Sequence, residues 1–141
     1  MDFNIKELIE NAVDSRKRAY APYSKFKVGA CLLTAENEFY GGFNIECAAY
    51  SVSNCAERTA IFRAVYDRNS IFKAIAVVGG DEKQTNNFSD FCPPCGVCRQ
   101  MLREFCNPEM FKVILAKSTD DFKVFTLDEL LPISFGPNNL K

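Results

Sequence analysis

From Ile5 the apolar residues Ile5, Leu8, Ile9, Ala12 and Val13 recur at intervals of three and four, the spacing of one helical face. Asn4 and Glu7 stand where a capping box would open that helix, which must end before Pro22. Val28 to Thr34 and Phe39 to Phe43 are short apolar or aromatic runs parted by Ala35-Glu36-Asn37-Glu38, the pattern of a hairpin. A second helix is predicted from Cys55 to Tyr66, with Ala60, Ile61, Ala64 and Val65 on its buried face. Ala74-Ile75-Ala76-Val77-Val78 is continuously apolar and closed by Gly79-Gly80, as a strand buried on both faces would be. After a polar stretch from Asp81 to Asp90, a third helix is predicted from about Cys95 to Phe105. Val113 to Ala116 and Val124-Phe125 read as the last strands, and Leu127 to Leu131 as a short helical turn.

Helices alternating with strands imply a layered α/β domain. No repeat, linker or compositional shift divides the chain, so residues 1–141 are expected to form a single domain. At 15.9 kDa such a domain buries roughly two thirds of the surface its unfolded chain exposes. It needs no metal staple to fold. The tail Pro132-Ile133-Ser134-Phe135-Gly136-Pro137 is apolar but cannot be helical with two prolines and a glycine, and its simplest role is to pack on its own core.

Charge adds exclusions. The net charge is -1 and no basic run interleaves with aromatics, so the electrostatic footprint of a nucleic-acid platform is missing. No stretch of about 18 apolar residues occurs, and the N-terminus lacks the basic-then-apolar order of a signal peptide. An intracellular, cytoplasmic protein with a small-molecule partner is the expectation. Seven cysteines, an odd number, also suit a reducing compartment better than a secreted disulfide framework.

The cysteines carry the candidate chemistry. There is no histidine, so a tight zinc site must be built from thiolates. Cys95 and Cys98 are three apart at a predicted helix start, where both sulfurs face one way and the free N–H groups favour thiolates. Cys55 and Glu57 are two apart and converge only on a point beyond the N-terminal end of their helix. Three thiolates from Cys55, Cys95 and Cys98 leave the fourth tetrahedral position of zinc for water, the arrangement of a catalytic site. Glu57 beside them suits a general acid and base. Three thiolates would blunt the metal's acidity, and Arg58, three residues after Cys55, is the expected compensating cation. Two other readings stand beside this one. Cys92 would close a structural four-cysteine cage, although Pro93 and Pro94 hold it in an extended segment; a redox pair at Cys95 and Cys98 is the other. Cys31, Cys47 and Cys106 read as small buried hydrophobes.

Cys55-Ala56-Glu57-Arg58 together with Pro94-Cys95-Gly96-Val97-Cys98-Arg99-Gln100 resembles cytidine deaminase of the small, homotetrameric, three-cysteine type. The resemblance continues in Ser24-Lys25-Phe26-Lys27-Val28-Gly29-Ala30, in Asn44-Ile45-Glu46 and in Glu129-Leu130-Leu131-Pro132, so it spans about Tyr20 to Gly136. It implies a three-layer α/β/α sandwich around a mixed sheet of about five strands. The implied reaction is hydrolytic deamination of cytidine and 2′-deoxycytidine to the uridines with release of ammonia, in pyrimidine salvage, with one zinc ion per subunit. Glu57 would protonate ring N3 and then the leaving amine. Asn44 and Glu46 would bind the 3′-hydroxyl, the backbone of Ala56 the base, Phe26 the ring pocket and Tyr50 the 5′ end. Phe135 would enter a neighbouring subunit's site. Three features depart from the family's usual pattern: Pro93 where a serine is common, a long Asp81 to Asp90 loop, and Cys47 after the Asn-x-Glu pair. A noncatalytic zinc protein and an aminohydrolase acting on another cytosine compound are the competing functions.

Overall fold

The first helix, α1 (Ile5–Arg16), starts where Asn4 accepts a hydrogen bond from the backbone of Glu7 through its side chain. That is half of the expected capping box; the Glu7 side chain makes no return bond. In the computed structural model, which describes residues 2–141, β1 (Phe26–Thr34) and β2 (Phe39–Phe43) follow as the predicted hairpin. Then come α2 (Ala56–Tyr66), β3 (Phe72–Asp81), α3 (Gly96–Arg103), β4 (Lys112–Ser118), β5 (Asp121–Thr126) and α4 (Leu127–Leu130). Short 3₁₀ turns occupy Tyr50–Val52 and Pro137–Asn139. The strands form one sheet in the order β2-β1-β3-β4-β5, with β3 and β4 parallel and the other neighbours antiparallel.

Alternation along the strands builds two apolar layers, because successive side chains leave opposite faces of a sheet. Cys31 and Leu33 of β1, Ala74, Ala76 and Val78 of β3, and Ile114 and Ala116 of β4 meet Leu8, Ile9 and Ala12 of α1. Their neighbours Ala30, Leu32, Ile75, Val77, Val113 and Leu115 meet Ala56, Ala60, Ile61 and Ala64 of α2 and Leu102 of α3. The result is the three-layer α/β/α sandwich with a mixed five-stranded sheet. Each wholly buried Leu or Ile in these layers contributes about 2 kcal/mol by leaving water.

Three local features differ from the sequence reading, and a fourth, the burial of Arg16, has no counterpart in it. Gly79 and Gly80 do not close β3 but continue it, because β1 extends back to Phe26 and pairs in register with them. Val65 is exposed, since Ala60, Ile61 and Ala64 already fill the stripe α2 turns inward. Arg16 is buried, its guanidinium donating to the carbonyls of Lys27, Gly80 and Asp81 and lying over Phe88 from the Asp81–Asp90 stretch. The tail does not pack its apolar groups inward: Ile133 and Phe135 are exposed.

One close approach positions the site. A Cβ at Gly42 of β2 would fall 2.2 Å from Ala56 O and 2.6 Å from Ala60 N, so only glycine lets the first turn of α2 lie directly on the strand.

Candidate active site

Two helix N-termini open onto the same cleft. Cys55 is the N-cap of α2 and Cys95 the N-cap of α3, each in extended backbone conformation. The Cys95 sulfur accepts from the backbone N–H of Cys98, one of the free donors every helix start leaves. The Cys55 and Cys95 sulfurs are 3.8 Å apart and those of Cys95 and Cys98 3.5 Å. All three lie within 4.8 Å of one another. Thiolates held tetrahedrally by zinc at about 2.3 Å stand roughly 3.8 Å apart, so this donor set fits that ion.

Glu57 and Arg58 follow Cys55 in the first turn of α2 and lie beside the thiols. Glu57 is 4 % exposed in the first turn of α2. Burial, and then the neighbouring Cys55, pushes its carboxyl up to about 7. Arg58 Nη2 donates to the Cys55 sulfur at 3.5 Å. The Cys55 thiol is drawn down to about 5, first by a hydrogen bond from Cys98 and then by Arg58. Cys98 moves up, because it supplies that hydrogen bond and is itself buried.

Cys92 stands apart. It is not among the three clustered thiols; a Cβ at Gly79 would fall 2.8 Å from its sulfur, so Cys92 packs against β3. Burial pushes its thiol up to about 12. Cys31 is buried, whereas Cys47 and Cys106 are only half-buried, contrary to expectation.

A cleft of about 230 Å³ runs from the thiols past Ala56 and Glu57 to Asn44 and Glu46. Backbone pairing of Ile45 with Asn54, and of Glu46 with Tyr20, lays the Asn44–Glu46 segment beside Cys55. Asn44 Oδ1 accepts from Val28 N and its Nδ2 donates to Phe26 O, both at 2.9 Å. Glu46 Oε1 accepts from the backbone of Tyr23 and Ser24, and Oε2 from the Ser24 hydroxyl. That hydroxyl, ahead of the backbone donors, holds the Glu46 carboxyl below the usual carboxylate range. Tyr50 lines an adjoining cleft with Tyr23, Ser24, Glu46 and Ser53, its ring 6.0 Å from that of Tyr23. Phe26 sits at the edge, beside Gly79 and Cys92 rather than among the lining residues. Phe135 is not brought to the cleft; it lies on α3, where its carbonyl accepts from Gln100. Ser24, Ser53 and Asn54 were not singled out from the sequence. For Ser24 a signal existed, since it opens the Ser24–Ala30 stretch.

The sheet order, and thiols gathered at two helix starts that could hold a metal ion, point to the deaminase class, and comparison with known proteins agrees. The family described as the cytidine and deoxycytidylate deaminase zinc-binding region matches residues 3–114. Cytidine deaminase of Sporosarcina psychrophila is 44 % identical over 137 residues, covering 97 % of this chain and 95 % of the relative. That of Halalkalibacterium halodurans is 43 % identical over 133 residues, covering 94 % and 95 %. A crystal structure of cytidine deaminase from Burkholderia pseudomallei superposes with a TM-score of 0.83 at 41 % identity, covering 94 % of this chain and all of the other. The chain belongs to the cytidine and deoxycytidylate deaminase family and is an enzyme of that kind. Among the described residues, no helix is long and apolar enough to cross a membrane.

Proposed function

We propose that the chain, acting as one domain over residues 1–141, hydrolyses cytidine and 2′-deoxycytidine to uridine and 2′-deoxyuridine with release of ammonia. The observation that carries this reading is a buried carboxyl, Glu57, beside three clustered thiols at one end of a cleft whose other end holds Asn44 and Glu46. Relatives with 44 % and 43 % identity that are named cytidine deaminase support it.

Cys55, Cys95 and Cys98 would hold one zinc ion per subunit. Bound there, zinc supplies a Lewis acid that makes water a nucleophile near neutral pH. Glu57, poised at about 7, takes the proton of the attacking water, places it on ring N3 and then passes a proton to the departing amine. Water adds at C4 and the C4–N bond breaks, so ammonia leaves and a carbonyl remains. Arg58 offsets the thiolate charge through Cys55.

Sugar recognition falls to Asn44 and Glu46. The three hydrogen bonds that Glu46 accepts leave room on a carboxylate, which offers about four lone-pair sites, for a 3′-hydroxyl. An ionised Glu46 repels a phosphate at that position, which favours free nucleosides over nucleic acid. The Ala56 backbone meets the base, Phe26 borders the ring pocket and Tyr50 stands at the 5′ end. Phe135 is supplied by a neighbouring subunit of a homotetramer. A cytoplasmic place in pyrimidine salvage completes the reading.

The test is Glu57→Gln, assayed for zinc content and for cytidine turnover. Metal is retained and activity falls by at least about a hundredfold, the usual scale for a lost acid-base group. Zinc-loaded wild-type protein that never converts cytidine overturns the proposal.

A further inference from the structure

Residues Leu131 to Gly136 leave α4 and run along α3, and polar contacts hold them there. Gln100 Nε2 donates to the carbonyl of Phe135 at 2.8 Å, and Arg103 Nε donates to Ser134 Oγ at 2.9 Å. Gln100 and Arg103 are three apart in the helix and share a face. The Arg103 guanidinium lies against Gly136, where a Cβ would fall 2.5 Å from Cζ and 2.7 Å from both terminal nitrogens. One turn earlier, Arg99 Nη1 donates to the carbonyl of Leu130 at 2.6 Å. The helix that grips the tail also carries Cys95 and Cys98 at its start.

The gripped segment packs Leu131 against the core but turns Ile133 and Phe135 outward. Ile133 is 100 % exposed, and Phe135 is 58 % exposed. Ile133 also has a φ of +52°, a conformation that a β-branched residue adopts only when its surroundings impose it. A fastened backbone with outward apolar groups is prepared for contact with another surface, because its own core covers neither side chain.

We propose that Arg103 and Gln100 are positioning residues that set the tail, and with it Phe135, for the active-site cleft of a second copy of this chain. The inference rests on the reading that Phe135 enters a neighbouring subunit. It adds that the tail is aimed from α3, and that a defect at Arg103 is felt in the neighbour's cleft rather than in its own. Neither side chain lines the cleft of its own subunit.

Arg103→Met keeps most of the side chain's bulk and removes the grip. KM for cytidine rises about tenfold, the scale of one lost aromatic stacking contact on a base, with kcat changed less. The decisive measurement uses mixed oligomers of Arg103→Met with Glu57→Gln, purified through two different tags. The Glu57→Gln subunits lack the acid-base group but offer an intact tail, so the expected result is activity with a KM close to wild type. A hybrid KM that stays at the Arg103→Met value overturns the inference, as does an unchanged KM in Arg103→Met alone. If Arg103→Met fails to fold, Gly136→Ala takes its place, because the added methyl displaces only the flexible end of Arg103. Hybrids of Phe135→Ala with Glu57→Gln run in parallel. Low KM restored there but not with Arg103→Met removes the role of Arg103 alone; low KM restored in neither removes the shared site as well.

Discussion

Replacing Arg58 with Gln removes a cation whose Nη2 lies 3.5 Å from the Cys55 sulfur. At that distance and an effective dielectric of about 20, the bare attraction is about 5 kcal/mol. Arg58 is only half-buried, so solvent takes back much of this, and the range for a hydrogen bond to a charged group, about 1.5–3 kcal/mol, is the better measure. At about 1.4 kcal/mol per decade, Arg58→Gln is expected to lower cytidine turnover by about one to two decades under saturating zinc. Metal retention falls too, because Cys55 loses a partner that stabilises its thiolate, and a thiol must shed its proton to bind metal. Turnover is read from the loss of cytidine absorbance and metal affinity from competition with a chromophoric chelator. Arg58→Lys, which keeps the charge but not the planar fork, should fall between the two. Wild-type turnover together with wild-type zinc affinity in Arg58→Gln would refute charge compensation.

Two further substitutions probe the walls of the cleft. Cys92→Ala should leave zinc content and affinity unchanged, since its sulfur packs on Gly79; a clear drop in affinity would reinstate the four-cysteine cage. Ser24→Ala removes the main cause of the lowered Glu46 pKa. A carboxyl depressed on folding stabilises the protein above its ordinary pKa and loses that contribution as pH falls through the depressed value. The wild type should therefore melt higher than Ser24→Ala at neutral pH, with the gap closing in acid below the usual carboxylate range. A gap that does not change with pH would count against this account of Glu46.

Much of the fold was legible because periodicity reports burial directly. The stripe Leu8, Ile9, Ala12 and the run Ala74 to Val78 are buried as their patterns imply. The misreadings were of groups whose surroundings come from elsewhere in the chain. Gly79-Gly80 reads as a stop until β1 is seen to reach back to Phe26 and pair with both. The burial of Arg16, in the last turn of α1, likewise depends on carbonyls converging from Lys27, Gly80 and Asp81. Val65 has the right residue type, but α2 turns its stripe just past it.

The candidate site divides the same way. Cys55, Glu57, Cys95 and Cys98, the absence of histidine and the two predicted helix starts were in the sequence, because side-chain chemistry and helix capping are local properties. Where those helix starts point is not local. It was decided by Gly42 letting α2 lie on β2, by the crossover that carries α3 between parallel β3 and β4, and by the Ile45–Asn54 bridge. Those contacts bring thiols 40 residues apart to within 3.8 Å. They also set Cys92 against β3, and leave Phe135 held on α3 outside the lining of its own cleft. Spacing along a chain fixes direction only within one element; convergence between elements belongs to the packing of the sheet and its helices.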